Sequence, residues 1–201
     1  LHYKLRYILR LPQAPSPALS FGITMHSLLK AIYQAGFGRE KLQDALIDRL
    51  IDEYWVHDGY DGKAHEQEAK QNAKTLLQAY MKHNADERIL PAQTEFPFQF
   101  MLKNIKILGR FDRINMLSDN KIEIVDYKTG SNIPPESKIK KDLQLTLYAL
   151  AATQVNDPIF RKTPEEIQLS LYYIEQNIKI STTRTKEQLE EAKEYIFQKA
   201  E

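Results

Sequence analysis

Apolar residues recur along this chain with two periods, and the change from one to the other organises it. Met25, Leu28, Leu29, Ile32 and Tyr33 follow the three- and four-residue spacing that lines one helix face, with Ser20 as a candidate cap after the turn QAPSP. REKLQDALIDRLIDEY (39–54) and AHEQEAKQNAKTLLQAYMK (64–82) read as two more amphipathic helices joined by WVHDGYDGK, a helical insert over about 39–83. From Ala92 the period becomes two. Phe96, Phe98 and Phe100 alternate with Glu95, Pro97 and Gln99, LKNIK reads as a tight turn, and IKILGRFDRINML and KIEIVDY follow as strands of an antiparallel meander. A helix over about 138–154 with Leu143, Leu147, Leu150 and Ala151 on one stripe, a strand EIQLSLYYIE and a charged helix over about 185–200 complete the pattern. The fold class predicted is α/β of the α+β kind: a central mixed sheet flanked by helices.

The length of 201 residues suits a single domain over 1–201 with a sizeable core. Lys and Arg number 28 against 27 Asp and Glu, and the net charge of +1 excludes a polyanion-binding footprint spread over the whole surface. Any nucleic-acid contact has to be local. With no cysteine there is no disulfide, thiolate zinc site or iron–sulfur cluster, and an intracellular, cytoplasmic setting is expected. No apolar run approaches the roughly 20 residues of a membrane span, so no membrane partner is expected. The chain opens without methionine in HYKLRYILRLP, which alternates apolar and basic residues, and is read as a piece of a longer polypeptide.

Candidate chemistry lies in the meander. A three-residue loop Ser118-Asp119-Asn120 sets Ile122 opposite Met116, Ile124 opposite Ile114 and Asp126 opposite Asp112, on one sheet face. Lys128 points to the same side. A two-residue turn Lys103-Asn104 sets Glu95 opposite Asp112. A lone DYK reads equally as the salt-bridged end of a strand. Three acids on one face with one lysine repel one another unless cations neutralise them, which points to a divalent metal such as Mg²⁺ or Mn²⁺. His26 falls at the edge of its helical stripe, where it is either an ordinary packing residue or a ligand facing a cleft. Asp58 and Asp61 in the loop between the helices lack the further ligands of a calcium site and read as a polar turn.

These motifs, in order, resemble the PD-(D/E)XK nucleases, and among them the RecB-like nuclease domain at the end of UvrD/RecB-type helicases: FGITMH with His26, TEFPF with Glu95, GRFDRI with Asp112, IVDYKTG with Asp126 and Lys128, and QLTLY with Gln144 and Tyr148. The resemblance implies a restriction-endonuclease-like core and metal-dependent hydrolysis of DNA. It implies His26, Asp112, Asp126 and the Tyr127 carbonyl as metal ligands, Lys128 as the group that orients or activates water, and Gln144 and Tyr148 as support for the site and the DNA strand. Without it, Gln144 and Tyr148 read equally as side chains flanking the leucine stripe. Lys138, Lys140 and Lys141 in SKIKK are candidate phosphate contacts at a helix start, or a solvated loop. Asn115 stands where relatives often carry a further acid, which would weaken a second metal site. The partners implied are DNA and upstream helicase motor domains of the same polypeptide, because no GxxxxGK[ST] occurs here. The alternative is a nuclease-like fold retained as a non-catalytic DNA-binding or docking module.

Overall fold

The computed structural model describes residues 15–37, 42–85 and 90–200. The basic opening segment 2–12 lies outside the described residues.

Helix α1 (Pro17–Gln34) is capped by Ser16, whose hydroxyl accepts from Leu19 N–H, with Pro17 in the first turn where it needs no donor. Ser20, the cap expected from sequence, is instead buried inside the helix. The predicted stripe holds: Met25, Leu28, Leu29 and Ile32 are fully buried. Helices α2 (Asp44–Tyr54) and α3 (Lys63–His83) follow. They are not an appendage, since Ile47, Leu50, Ala73 and Leu77 join α1 in one apolar layer against Val125 and Tyr127 of the sheet. The loop between α2 and α3 is tied to α1 by Val56 N–H, which donates to the buried Thr24 hydroxyl at 3.1 Å.

The sheet is mixed and five-stranded, ordered β1 (Pro91–Leu102), β2 (Ile105–Met116), β3 (Ile122–Lys128), β4 (Ile167–Tyr173) and β5 (Ile178–Thr182). The β1–β2 hairpin turns at Lys103 and Asn104 with Leu102 opposite Ile105, Lys103 taking the left-handed φ of 52°. The β2–β3 loop is the predicted one: Ile114 opposes Ile124, Met116 opposes Ile122, and Asp119 and Asn120 both sit in the left-handed region. Strand β4 pairs parallel with β3, and β5 returns antiparallel to β4. Sequence reading missed β5: IKIST is too short and too exposed to alternate clearly.

The expected helix over 138–154 is broken in two. After a one-turn helix α4 (Glu136–Ile139), α5 (Leu143–Gln154) starts afresh at Asp142, whose carboxylate accepts from Leu145 N–H at 2.9 Å. The buried Arg184 fastens this break, donating to the carbonyls of Ile139 at 3.2 Å and Asp142 at 3.3 Å. The stripe on α5 also differs from the expectation. Leu143 is 39% exposed, while Leu145, Tyr148, Ala149, Leu150, Ala151 and Ala152 are buried, because α5 is packed between the sheet and α6 (Lys186–Ala200). The sheet thus separates two cores, one shared with α1, α2 and α3, the other with α5 and α6. No helix among the described residues is long and apolar enough to cross a membrane.

Candidate metal and catalytic site

Pairing between β2 and β3 stops at Arg113 opposite Val125. One step further Asp112 and Asp126 are not ladder partners. Instead Asp112 Oδ2 accepts from the Tyr127 N–H at 2.9 Å, so a carboxylate stands in for the cross-strand backbone acceptor. On β1 the step opposite Asp112 is broken too: Thr94 pairs with Arg113 and Phe96 with Phe111, while Glu95 between them takes a φ of 52°. Left-handed backbone at a non-glycine residue is held only where its surroundings enforce it, and such positions concentrate at functional sites.

Into this opening α1 brings His26 from one layer. Its Nδ1 lies 3.2 Å from Asp112 Oδ1, and its ring meets the Tyr127 ring edge-on at 6.1 Å between centroids. Donor atoms of His26, Glu95 and Asp112 all lie within 4.8 Å of one another, the one such group among the described residues. An imidazole nitrogen with two carboxylates is a donor set that suits a divalent cation, so the residues present fit one. Burial pulls the His26 imidazole down, but the Asp112 contact, with the charges of Asp112, Asp126 and Glu95, outweighs it and raises its pKa above the usual histidine value. Burial raises the Glu95 carboxyl, opposed by Arg110, whose Nε lies 2.6 Å from Glu95 Oε2.

From the other layer α5 brings Gln144 and Tyr148, four residues apart on one helix face. Gln144 Nε2 donates to Asp126 Oδ1 at 2.8 Å and its Oε1 accepts from Lys128 Nζ at 2.8 Å. The Tyr148 hydroxyl donates to the same Asp126 oxygen at 2.9 Å. Lys128 Nζ is 2.7 Å from Asp126 Oδ2, an ion pair with a buried carboxylate. Burial raises the Asp126 carboxyl against the pull of Lys128, with Asp112 adding to the rise. Lys128 is lowered by burial but raised overall by Asp126, and stays an ammonium.

The expected residues therefore gather in two touching groups, not on one face. His26, Glu95 and Asp112 form one, Asp126, Lys128, Gln144 and Tyr148 the other, and Tyr127 joins them through its N–H. Lys138, Lys140 and Lys141 are exposed and precede the cap of α5, so they do not load the start of that helix; Lys140 pairs with Glu136 at 2.7 Å. Asn115 lies away from the cluster. It is fully buried and donates to Glu123 Oε2 at 2.8 Å, so an acid there would face a buried acid across the sheet. Sequence reading passed over Arg110, although it stands in the motif GRFDRI two residues before Asp112.

A family model for the PD-(D/E)XK nuclease superfamily matches residues 1–201. The chain belongs to this superfamily. It is a nuclease by family, of a kind that works with divalent metal ions. No curated protein matches the sequence. Among solved structures, it is similar to a candidate exonuclease from Eubacterium rectale, at 16% identity and a TM-score of 0.47, over 94% of this chain and 66% of that one. It is also similar to SSO0001, at 12% identity and a TM-score of 0.36, over 97% of this chain and 83% of that one. The chain thus spans just under two thirds of the Eubacterium rectale protein.

Proposed function

We propose that this PD-(D/E)XK nuclease is a Mg²⁺- or Mn²⁺-dependent deoxyribonuclease, acting as an exonuclease on single-stranded or end-proximal DNA. Its place is beside helicase motor domains of the same polypeptide, in cytoplasmic recombination or repair of DNA. The observation that supports this reading is the convergence of His26, Glu95 and Asp112 within 4.8 Å beside a Lys128–Asp126 pair at 2.7 Å. His26, Asp112, Asp126 and the Tyr127 carbonyl would hold the cation, with Glu95 at its side. When bound, a divalent ion lowers the pKa of a water and neutralises charge on the phosphate.

The chain's own residues do the rest. Asp112 is fixed by the Tyr127 N–H, so its second oxygen stays turned toward His26. Gln144 holds Asp126 and Lys128 by opposite ends of one amide and fixes both orientations at once. Lys128, an ammonium with three donors, aligns the attacking water and stabilises negative charge developing on the phosphate. Lys138 and Lys141 on the exposed turn before α5 bind the strand further along.

The test is cleavage of 5′- and 3′-labelled single- and double-stranded DNA by the full chain with Mn²⁺, Mg²⁺ or EDTA. Expected is metal-dependent shortening from one labelled end, abolished in Asp126→Ala and Lys128→Ala. DNA binding that persists in EDTA and in Asp126→Ala, without cutting under any metal, would replace this reading with a non-catalytic docking module.

A further inference from the structure

Within the cluster, Glu95 is held by a cation from outside it. Arg110 Nε lies 2.6 Å from its Oε2, and the two side chains differ sharply in exposure, 11% for Glu95 and 63% for Arg110. The acid faces inward toward His26 and Asp112, while the guanidinium stands on the rim. The left-handed backbone at Glu95 is what turns it out of the β1 pleat toward both. Lys30, one turn beyond His26 on α1, adds a second positive charge that Glu95 feels. A carboxylate oxygen that serves a divalent cation no longer serves a guanidinium equally well, since both compete for the same negative charge. A guanidinium left on such a rim has a fork of donors that matches phosphate oxygens.

We infer that Arg110 is a phosphate-binding residue held in reserve by Glu95: when Glu95 turns to a divalent cation, Arg110 is released to a DNA backbone phosphate beside the one being cut. The inference rests on the reading of the cluster as a cation site. It makes cation and DNA binding mutually reinforcing, because each favours the arrangement in which Glu95 and Arg110 part. An idle active site would then hold nucleic acid weakly until the cation is in place.

The experiment measures binding of a cleavage-resistant phosphorothioate single strand by wild type, Arg110→Ala and Glu95→Gln, each in EDTA and in Mn²⁺, with Mn²⁺ binding to the DNA-free proteins followed by calorimetry. In EDTA, Arg110→Ala binds as wild type does. In Mn²⁺ it binds about tenfold more weakly, with a salt dependence shallower by about 0.7 in log–log slope, the loss of one phosphate contact on a single strand. Glu95→Gln binds more tightly than wild type already in EDTA, since Arg110 is freed. Equal weakening of Arg110→Ala in EDTA and in Mn²⁺ would reduce Arg110 to diffuse positive charge and overturn the inference, as would no weakening in either. If wild type binds no Mn²⁺ at all, the cation reading itself fails and takes this inference with it. If wild type binds Mn²⁺ and Arg110→Ala behaves as wild type, only the inference fails.

Discussion

Gln144 is the residue that keeps Asp126 and Lys128 in register with each other. Its amide donates to Asp126 and accepts from Lys128, so neither side chain can swing without breaking a hydrogen bond. Groups that orient a metal ligand typically matter by about 10- to 100-fold in affinity or rate. Gln144→Leu is therefore expected to lower kcat in Mn²⁺ by about that factor, and to cost about 1–3 kcal/mol of stability because the buried Asp126 carboxylate loses a donor. Steady-state kinetics beside a thermal melt separates the two, and an unchanged kcat would remove Gln144 from the site. Asp126 and Lys128 also show why a two-residue motif says little alone. A lysine beside a buried acid is an ordinary ion pair until a second acid, Asp112, presses on it from the next strand.

At the scale of elements, the site depends on the register of the β2–β3 ladder, and the loop between those strands sets that. Asp119 and Asn120 both occupy left-handed backbone, which Asn and Asp tolerate and β-branched residues do not. Asn120→Val is expected to destabilise the protein by about 1–2 kcal/mol, read as a lower midpoint in urea with an unchanged slope. A midpoint equal to wild type would mean that the loop does not enforce its conformation. This part of the fold was legible in the sequence because alternation and turn chemistry agree on one register. The break between α4 and α5 was not legible, since it depends on Arg184, more than 40 residues away in sequence, reaching the carbonyls at the junction.

Across the whole molecule, α1 and α5 lie on opposite faces of the sheet, and both reach the place where the β2–β3 ladder stops, α1 through His26 on Asp112 and α5 through Gln144 on Asp126. A cation shared by residues from both layers would tie them together, and its binding would add to folding stability. At a free concentration 100 times Kd the gain is about 2.7 kcal/mol. Thermal melts are expected to rise on adding Mn²⁺ over EDTA, and the Mn²⁺-dependent rise is expected to vanish in Asp112→Asn, whatever that variant's own midpoint. An equal rise in the variant would place Mn²⁺ elsewhere on the protein.

By itself the sequence determined the succession of elements apart from β5 and the break between α4 and α5, the registers of both hairpins, and a set of candidate residues for the chemistry. Those follow from local rules: helical and strand periods, turn residues and a motif order that resembles one nuclease superfamily. Only the tertiary structure decided how the residues divide. Alternation along ideal strands put Glu95, Asp112 and Asp126 on one face, but the ladder stops at Arg113, Glu95 leaves the pleat, and Asp112 spends one oxygen on the Tyr127 N–H. The acids are thereby shared between two layers, Glu95 and Asp112 with His26, Asp126 with Gln144 and Tyr148. Period-two reasoning assumes unbroken pairing, and like charges crowded at a strand end are where pairing gives way to side-chain interactions between elements distant in sequence.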